Sequence, residues 1–262
     1  MKLFKTALMA VAAVACMSSA QASTINVGGV SWDPDYTDAA DLDFLAEFKF
    51  TQWFSTTSST TKDGITNYAA ATSITTVLGS LTGGTSFSGY YLQGAGEVDR
   101  VNGGVGTGTF MTAANTELTY AFGGIKLLNN GTFDISEAWG RLHVNSTTPN
   151  YVTPASNQAE VDDAQSGSTW LDLEFSSLGF QTGSVANGTV SAVLKVIGGD
   201  AYGNFLPLTL DYTADAFFNA GALYSSNGNG SVQGNSIPEP ASLALVGLGL
   251  LGAGLARRKS LK

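Results

Sequence analysis

Short apolar segments separated by turn signals are the feature that most constrains the fold of this chain. Gly, Ser, Thr and Asn interrupt the sequence about every ten residues, which favours strands over long helices. Between these breaks apolar and polar residues alternate: "TWLDLEF" places Leu171, Leu173 and Phe175 on one face and Asp172 and Glu174 on the other. A period of two is typical of a β-strand. We therefore predict an all-β domain, either an antiparallel β-sandwich or a jelly-roll-like fold.

Local patterns refine this prediction. The segment "EFKFTQWF" carries Phe48, Phe50 and Phe54 in one register, as a strand with one buried face would. The segment "GTVSAVLKVIGG" is apolar on both faces and predicts a strand that is covered on both sides. An Asn-Gly pair at Gly131 separates two apolar runs and predicts a hairpin. The segment "DAADLDFLAEF", which begins at Asp38, is the best candidate for a short helix.

The charge of the chain excludes one class of function. Between Ser23 and Ile237 there are six basic and twenty acidic residues, so the net charge of this part is 6 − 20 = −14, against −9 for the whole chain. The electrostatic field of this negative charge repels nucleic acid, and we therefore exclude nucleic-acid binding. Cys16 is the only cysteine. A single cysteine has no second cysteine to pair with, so we expect no disulfide. We also predict no metal and no cofactor.

The first 22 residues have the features of an export signal. Two lysines precede an uncharged apolar stretch. This stretch is followed by the triplet Ala20-Gln21-Ala22, which has a small residue at its first and third positions. This order predicts a secretory signal peptide at 1–22, with cleavage before Ser23. The alternative is a lipoprotein anchored through Cys16, because small residues also precede this cysteine.

The sequence changes character again at Ser225. The stretch "SSNGNGSVQGNS" contains one apolar residue in twelve. Such a composition has little to bury and predicts a flexible linker at 225–236. We therefore expect the β-rich extracellular domain to occupy 23–224 and a separate C-terminal signal to occupy 237–262.

The C-terminal signal contains an apolar run followed by cations. Residues 241–256 form sixteen consecutive positions without a charge. At about 1.5 Å per residue a helix of this length covers roughly 24 Å, which is just sufficient for a membrane span when the bilayer thins locally. Arg257, Arg258 and Lys259 follow, and their charge predicts a basic stop on the cytoplasmic side of the membrane.

The stretch "PEPASLALVGLGLLGAGLARRK" resembles the PEP-CTERM sorting signal, with a Pro-Glu-Pro element, a membrane segment rich in Gly and Leu, and a basic end. The resemblance implies that Pro238, Glu239 and Pro240 are recognised by an exosortase, which cleaves near them and delivers the protein to the surface of a Gram-negative cell that makes extracellular polysaccharide. The segments "INVGGVSWDPDY" and "FKFTQWF" are in addition similar to PEP-CTERM proteins associated with flocculation.

Few residues suggest catalysis. His143 is the single histidine, and the pattern "GRLHVN" directs it away from the core on a strand. No Gly-x-Ser-x-Gly element accompanies it. The acidic stretch 33–43 lacks the glycine and the final glutamate of an EF-hand loop, so a solvated turn is expected and calcium is left open. The four tryptophans fit either the core or sugar-stacking platforms; they are Trp32, Trp53, Trp139 and Trp170.

These observations lead to one main hypothesis and two alternatives. We expect a non-catalytic protein of the cell surface or extracellular matrix, held transiently in the inner membrane, processed by an exosortase and associated with extracellular polysaccharide in floc or biofilm formation. One alternative is a secreted polysaccharide-active hydrolase that uses Asp172 or Glu174 as one of two carboxylates. The other is the lipoprotein anchored through Cys16.

Overall fold

Antiparallel strands make up most of the computed structural model, which describes residues 24–36, 43–59, 64–105, 110–113, 115–145, 155–205 and 207–237. The strands are β1 (Ile25–Val27), β2 (Val30–Trp32), β3 (Phe44–Ser55), β4 (Ala71–Thr72), β5 (Phe87–Val101), β6 (Gly104–Val105), β7 (Glu117–Leu128), β8 (Phe133–Asp134), β9 (Trp139–Asn145), β10 (Ser168–Ser184), β11 (Asn187–Gly198), β12 (Thr209–Phe217) and β13 (Asn227–Gly234). Within the described ranges the helices are Ile74–Ser80 and Gln158–Ala164, and 3₁₀ turns lie at Tyr68–Ala70 and Tyr202–Asn204.

Eight of these strands form one closed barrel. Their order is β3, β13, β12, β11, β10, β9, β7 and β5, and β5 pairs with β3 to complete the ring. All eight pairings are antiparallel. The predicted all-β antiparallel character is therefore confirmed. The predicted sandwich or jelly roll is wrong, because the sheet closes on itself instead of packing against a second sheet.

Aromatic side chains and glycines on facing strands explain why the barrel can close tightly. Phe50 and Phe122 point into the barrel from β3 and β7, as do the other aromatic residues of the core. A Cβ atom at Gly94 would lie 2.6 Å from the Phe122 ring, and one at Gly228 would lie 2.5 Å from the Phe50 ring. The aromatic rings of Phe122 and Phe50 fill the space that side chains at positions 94 and 228 would need. Large and small residues thus complement each other across the narrow interior.

The stretch predicted as a flexible linker, 225–236, instead contains the strand β13 (Asn227–Gly234). It hydrogen-bonds to β12 on one side and to β3 on the other, so it is an integral part of the barrel wall. The prediction from composition failed because most inward positions of this strand are glycine. Apolar side chains from neighbouring strands pack against these glycines. The predicted domain boundary at 224 is therefore also wrong, and the folded domain continues to Ile237. The inward positions are Gly228, Gly230, Val232 and Gly234.

The two ends of the barrel differ. One end, the plugged end, is filled by four aromatic residues, among which Trp32 and Trp170 have ring centroids 5.5 Å apart. The remaining two, Phe44 and Phe205, have centroids 5.1 Å apart. At the other end the helix Ile74–Ser80 packs against the core through its buried apolar residues. The plugged end is consequently solid, whereas the other end retains unfilled space.

A second, smaller core lies outside the ring. Trp53, Ala95, Ala121 and Trp139 project outward from four strands and pack beneath the helix Gln158–Ala164 and nearby residues. The outer face of the barrel is thus partly covered rather than uniformly exposed to water.

Several local predictions can now be compared with the fold. The hairpin at the Asn-Gly pair is confirmed, since β7 pairs with β8 across Gly131. The prediction that β11 is covered on both sides is wrong, because Ile197 on its outer face is 38 % exposed. The predicted short helix from Asp38 is wrong from Phe44 onward, where β3 begins, and its first residues lie outside the described ranges.

No helix among the described residues is long and apolar enough to cross a membrane. The predicted span at 241–256 lies outside these residues.

Candidate functional site

The residues predicted for export and sorting lie outside the described ranges, and they stay predictions from sequence. They are Cys16, Ala20, Ala22 and Ser23 near the N-terminus, and Pro238, Glu239, Pro240, Arg257, Arg258 and Lys259 near the C-terminus.

The polypeptide that leads to the Pro-Glu-Pro element is fixed to the barrel. The amide of Ser236 donates a hydrogen bond to Oδ2 of Asp43 at 3.3 Å, and Ser236 itself is buried. The next amide, that of Ile237, donates to the carbonyl oxygen of Asn204 at 2.8 Å. The folded structure therefore extends to the residue directly before Pro238, without the spacer that the sequence suggested.

An open groove crosses the outer face of β3, β13 and β12. Its volume is about 430 Å³, and we call it the outer groove. Short side chains on β13, with Gly230 between them, keep the floor of the groove low. The polar side chains that line it are Glu47, Lys49, Asp99, Thr213, Asp215, Asn229 and Ser231.

Charges of both signs lie along one wall of the outer groove. The ammonium group of Lys49 is 3.2 Å from Oδ1 of Asp99. The guanidinium of Arg100 is 3.8 Å from the other oxygen of the same carboxylate and 3.6 Å from Glu47. These pairs are largely exposed to water, so they contribute little to stability. They do provide hydrogen-bond donors and acceptors at the surface.

The carboxylates proposed for a hydrolase are placed differently. Asp172 lies on the outer face of β10, with its Oδ1 atom 3.7 Å from Nε of Arg141 on β9. Glu174 is exposed two positions further along the same face. Neither residue lines the outer groove. The structure therefore does not bring this pair to the outer groove.

His143 is buried, so the prediction that it is exposed is wrong. Only 6 % of its surface is accessible, because the outer face of β9 is covered and Trp139 and Asn145 on the same face are buried as well. Burial, assisted by the nearby positive charge of Arg141 and opposed by Asp172, lowers the pKa of His143 to about 4. Its Nδ1 atom has no hydrogen-bond partner among the described residues. The imidazole is thus neutral at pH 7 and belongs to the protein interior.

The tryptophans and the described aspartates of the acidic stretch, Asp33, Asp35 and Asp43, also lie where they serve structure. All four tryptophans are at most 2 % exposed, so none of them provides a sugar-stacking platform on the surface. In the acidic stretch, Oδ1 of Asp33 accepts a hydrogen bond from the amide of Asp35 at 2.9 Å, and Asp43 accepts one from Ser236. Among the residues that the structure describes, no group of three or more His, Cys, Asp or Glu side chains could hold a metal ion.

Sequence reasoning missed the outer groove. Its residues come from β3, β5, β12 and β13, and Lys49 faces Asn229 only because β13 pairs with β3. The one sequence signal for this arrangement is the alternation of Gly with polar residues in "NGNGSVQG", which has the period of a strand.

Comparison with known proteins assigns the C-terminus. Residues 236–259 match the PEP-CTERM protein-sorting motif, and this chain therefore carries the signal of an exosortase substrate. The motif implies processing by an exosortase and sorting to the cell surface. No curated protein and no solved structure matches the chain.

Proposed function

We propose that this protein is a non-catalytic component of the extracellular matrix of a Gram-negative cell, where it binds extracellular polysaccharide through the outer groove and contributes to floc or biofilm formation. The observation that carries the proposal is the outer groove itself, an open polar channel on a barrel that ends in a surface-sorting signal.

The chemistry of the groove suits a sugar polymer. A polysaccharide is extended and covered with hydroxyl groups, so it needs an open channel with alternating donors and acceptors. Thr213 and Asn229 can each donate and accept, Lys49 donates, and Asp215 accepts. Each hydrogen bond contributes about 0.5–1.5 kcal/mol net. Individual contacts are therefore weak, and many protein copies on one polymer would supply avidity.

The ion pairs favour binding over hydrolysis. A glycosidase requires two carboxylates on opposite sides of the scissile bond, with one of them protonated to act as an acid. Asp99, the groove carboxylate on β5, already lies beside Lys49 and Arg100. We therefore assign it a role in charge balance at the surface.

A binding experiment with matched variants tests the groove. The processed protein is recovered from its own cells and run through gels that contain the extracellular polysaccharide of the same cells. The double variant Thr213→Val, Asn229→Leu removes two polar groups from the groove and should lower the affinity about tenfold. The control variant Thr209→Val, Gln233→Leu makes comparable polar-to-apolar changes on the outer faces of the same strands outside the groove.

Two results would contradict the proposal. Equal retardation of the groove variant and its control would exclude the groove as the binding surface. Release of reducing ends from the polysaccharide would instead support the hydrolase alternative, and substitution of Asp172 would then show whether that carboxylate takes part.

The route to the cell surface has its own test. Deletion of residues 238–262 should leave the protein in the periplasm or in the medium, and unchanged surface display would contradict sorting through this tail. Substitution Cys16→Ala should have no effect on surface display. Loss of the protein from the membrane fraction after this change would instead favour the lipoprotein alternative.

A further inference from the structure

The two residues before the Pro-Glu-Pro element belong both to the sorting motif and to the barrel. The motif match begins at Ser236, whereas the folded structure continues to Ile237. Ser236 is 5 % exposed and forms a β-bridge with Phe205, which is buried in the plugged end. We call residues 236–237 the docked segment. An exosortase that binds the start of the motif therefore competes with the barrel for this segment.

Backbone hydrogen bonds hold the docked segment in place. The amide of Ser236 donates to Oδ2 of Asp43 at 3.3 Å, and the amide of Ile237 donates to the carbonyl oxygen of Asn204 at 2.8 Å. A protein that binds an extended peptide uses the backbone donors and acceptors of that peptide. The two amides cannot donate to Asp43 and Asn204 and to an enzyme at the same time.

The short distance between the barrel and the apolar run adds a steric argument. Residues 238–240 alone separate the docked segment from Ala241, where the run without charges begins. Three residues span at most about 10 Å. If the run enters the membrane as the sequence predicts, the plugged end lies close to the membrane surface. An enzyme embedded in the same membrane then has little room to reach the Pro-Glu-Pro element.

The docked segment can leave the barrel without opening the barrel wall. The regular pairing of β13 ends at Gly234 with β3 and at Gln233 with β12, before the docked segment begins. The Oγ atom of Ser236 is buried and has no hydrogen-bond partner among the described residues, which opposes docking. Release of the segment thus breaks two backbone hydrogen bonds and returns this hydroxyl group to water.

We propose that Asp43 is a positioning residue that controls the sorting cleavage. It holds the amide of Ser236 on the barrel, and the exosortase acts while the docked segment is released. The rate of processing then follows the fraction of molecules in which the segment is released, as for other proteins that are cut in a locally opened state. This inference rests on the sorting motif and is independent of polysaccharide binding by the outer groove.

Pulse-chase labelling of the full chain in its own cells tests the proposal, with loss of the tail followed as a decrease in mass. Asp43→Ala removes the acceptor and should accelerate processing about fivefold, as expected for the loss of one hydrogen bond. Asp43→Asn retains a side-chain oxygen and should be processed at nearly the wild-type rate. Asp134→Ala is the matched control, because it removes a carboxylate on β8 that accepts the amide of Ser136 and does not contact the docked segment.

A spacer distinguishes access to the motif from a general weakening of the barrel. Four residues, Gly-Ser-Gly-Ser, inserted between Ile237 and Pro238 supply accessible chain before the Pro-Glu-Pro element and leave the docked segment in place. The insertion should accelerate processing by itself, and Asp43→Ala should then add no further increase. Equal rates for the wild type, the spacer variant and Asp43→Ala would overturn the proposal. Equal acceleration by Asp43→Ala with and without the spacer would overturn it as well.

Hydrogen exchange of the full chain in detergent gives a readout that does not depend on the enzyme. The amides of Ser236 and Ile237 should be protected in the wild type, and Asp43→Ala should raise their exchange rate about fivefold while the amides of β13 exchange as before. Unprotected amides in the wild type would contradict docking. Circular dichroism establishes that each variant is folded, and the spacer variant decides the question if Asp43→Ala does not fold.

Discussion

Acid should destabilise this protein through His143. The imidazole is buried, and desolvation, together with the nearby Arg141, holds its pKa at about 4, whereas its ordinary value is 6.5. The unfolded chain therefore binds a proton at a higher pH than the folded protein does. The free energy of unfolding must then decrease as the pH falls from 6.5 to about 4 and is unaffected by this group above that window. At 1.36 kcal/mol per pH unit, the total loss is about 3 kcal/mol.

Urea denaturation of the processed protein at several values between pH 7 and pH 4 measures this loss. The variant His143→Gln provides the comparison, because glutamine does not titrate. Its free energy of unfolding should fall less steeply than that of the wild type over this window, so that the two curves converge toward pH 4. The remaining slope of the variant reports the other titrating groups.

Because His143 is the only histidine of the chain, its ring protons give one titrating set of NMR signals. The expected midpoint is about pH 4, with Arg141 and Asp172 as the charged groups beside the ring. A midpoint near 6.5 would refute the reasoning, since it would mean that the ring is solvated in solution. Parallel stability curves for the wild type and His143→Gln would refute it as well.

Three further predictions concern β13. A chain that ends at residue 224 should remain unfolded by circular dichroism, whereas one that ends at Ile237 should fold. The reason is that only the second chain contains the strand that joins β3 to β12. Folding of both chains would mean that the barrel closes without β13. Substitution Gly228→Val should destabilise the protein by about 1–3 kcal/mol through overpacking against Phe50, and Asn229→Val, which points outward, should change the unfolding free energy by much less. Mass spectrometry of the processed protein should place its C-terminus after Ile237, since a cut within β13 would remove part of the barrel wall.

Local patterns in the sequence predicted individual strands well. The alternation in "TWLDLEF" correctly places Leu171 and Leu173 in the interior and Asp172 outside. It succeeds because side-chain direction along a strand depends only on the neighbouring residues. The same logic placed His143 on the outer face, which is correct for its direction, but it could not show that other parts of the chain cover that face.

The glycines of β13 show where local reasoning fails. A segment with one apolar residue in twelve has little to bury by itself. In the barrel, however, Phe50 packs over Gly228 and Leu210 packs over Gly234, so the neighbours supply the apolar surface. Composition describes what a segment can bury with its own side chains, whereas the stability of β13 depends on the side chains of strands that are distant in sequence.

The sequence by itself determined that this chain is rich in strands, acidic and equipped with a C-terminal sorting motif, because each of these properties resides in contiguous residues. Only the tertiary structure decided that the sheet closes, that the outer groove forms and that the barrel reaches the residue before Pro238. Each of these depends on pairing between strands from opposite ends of the chain, such as Lys49 on β3 with Asn229 on β13. Long-range pairing depends on how well side chains from distant strands fill a shared interior, and that fit arises only when the strands are brought together.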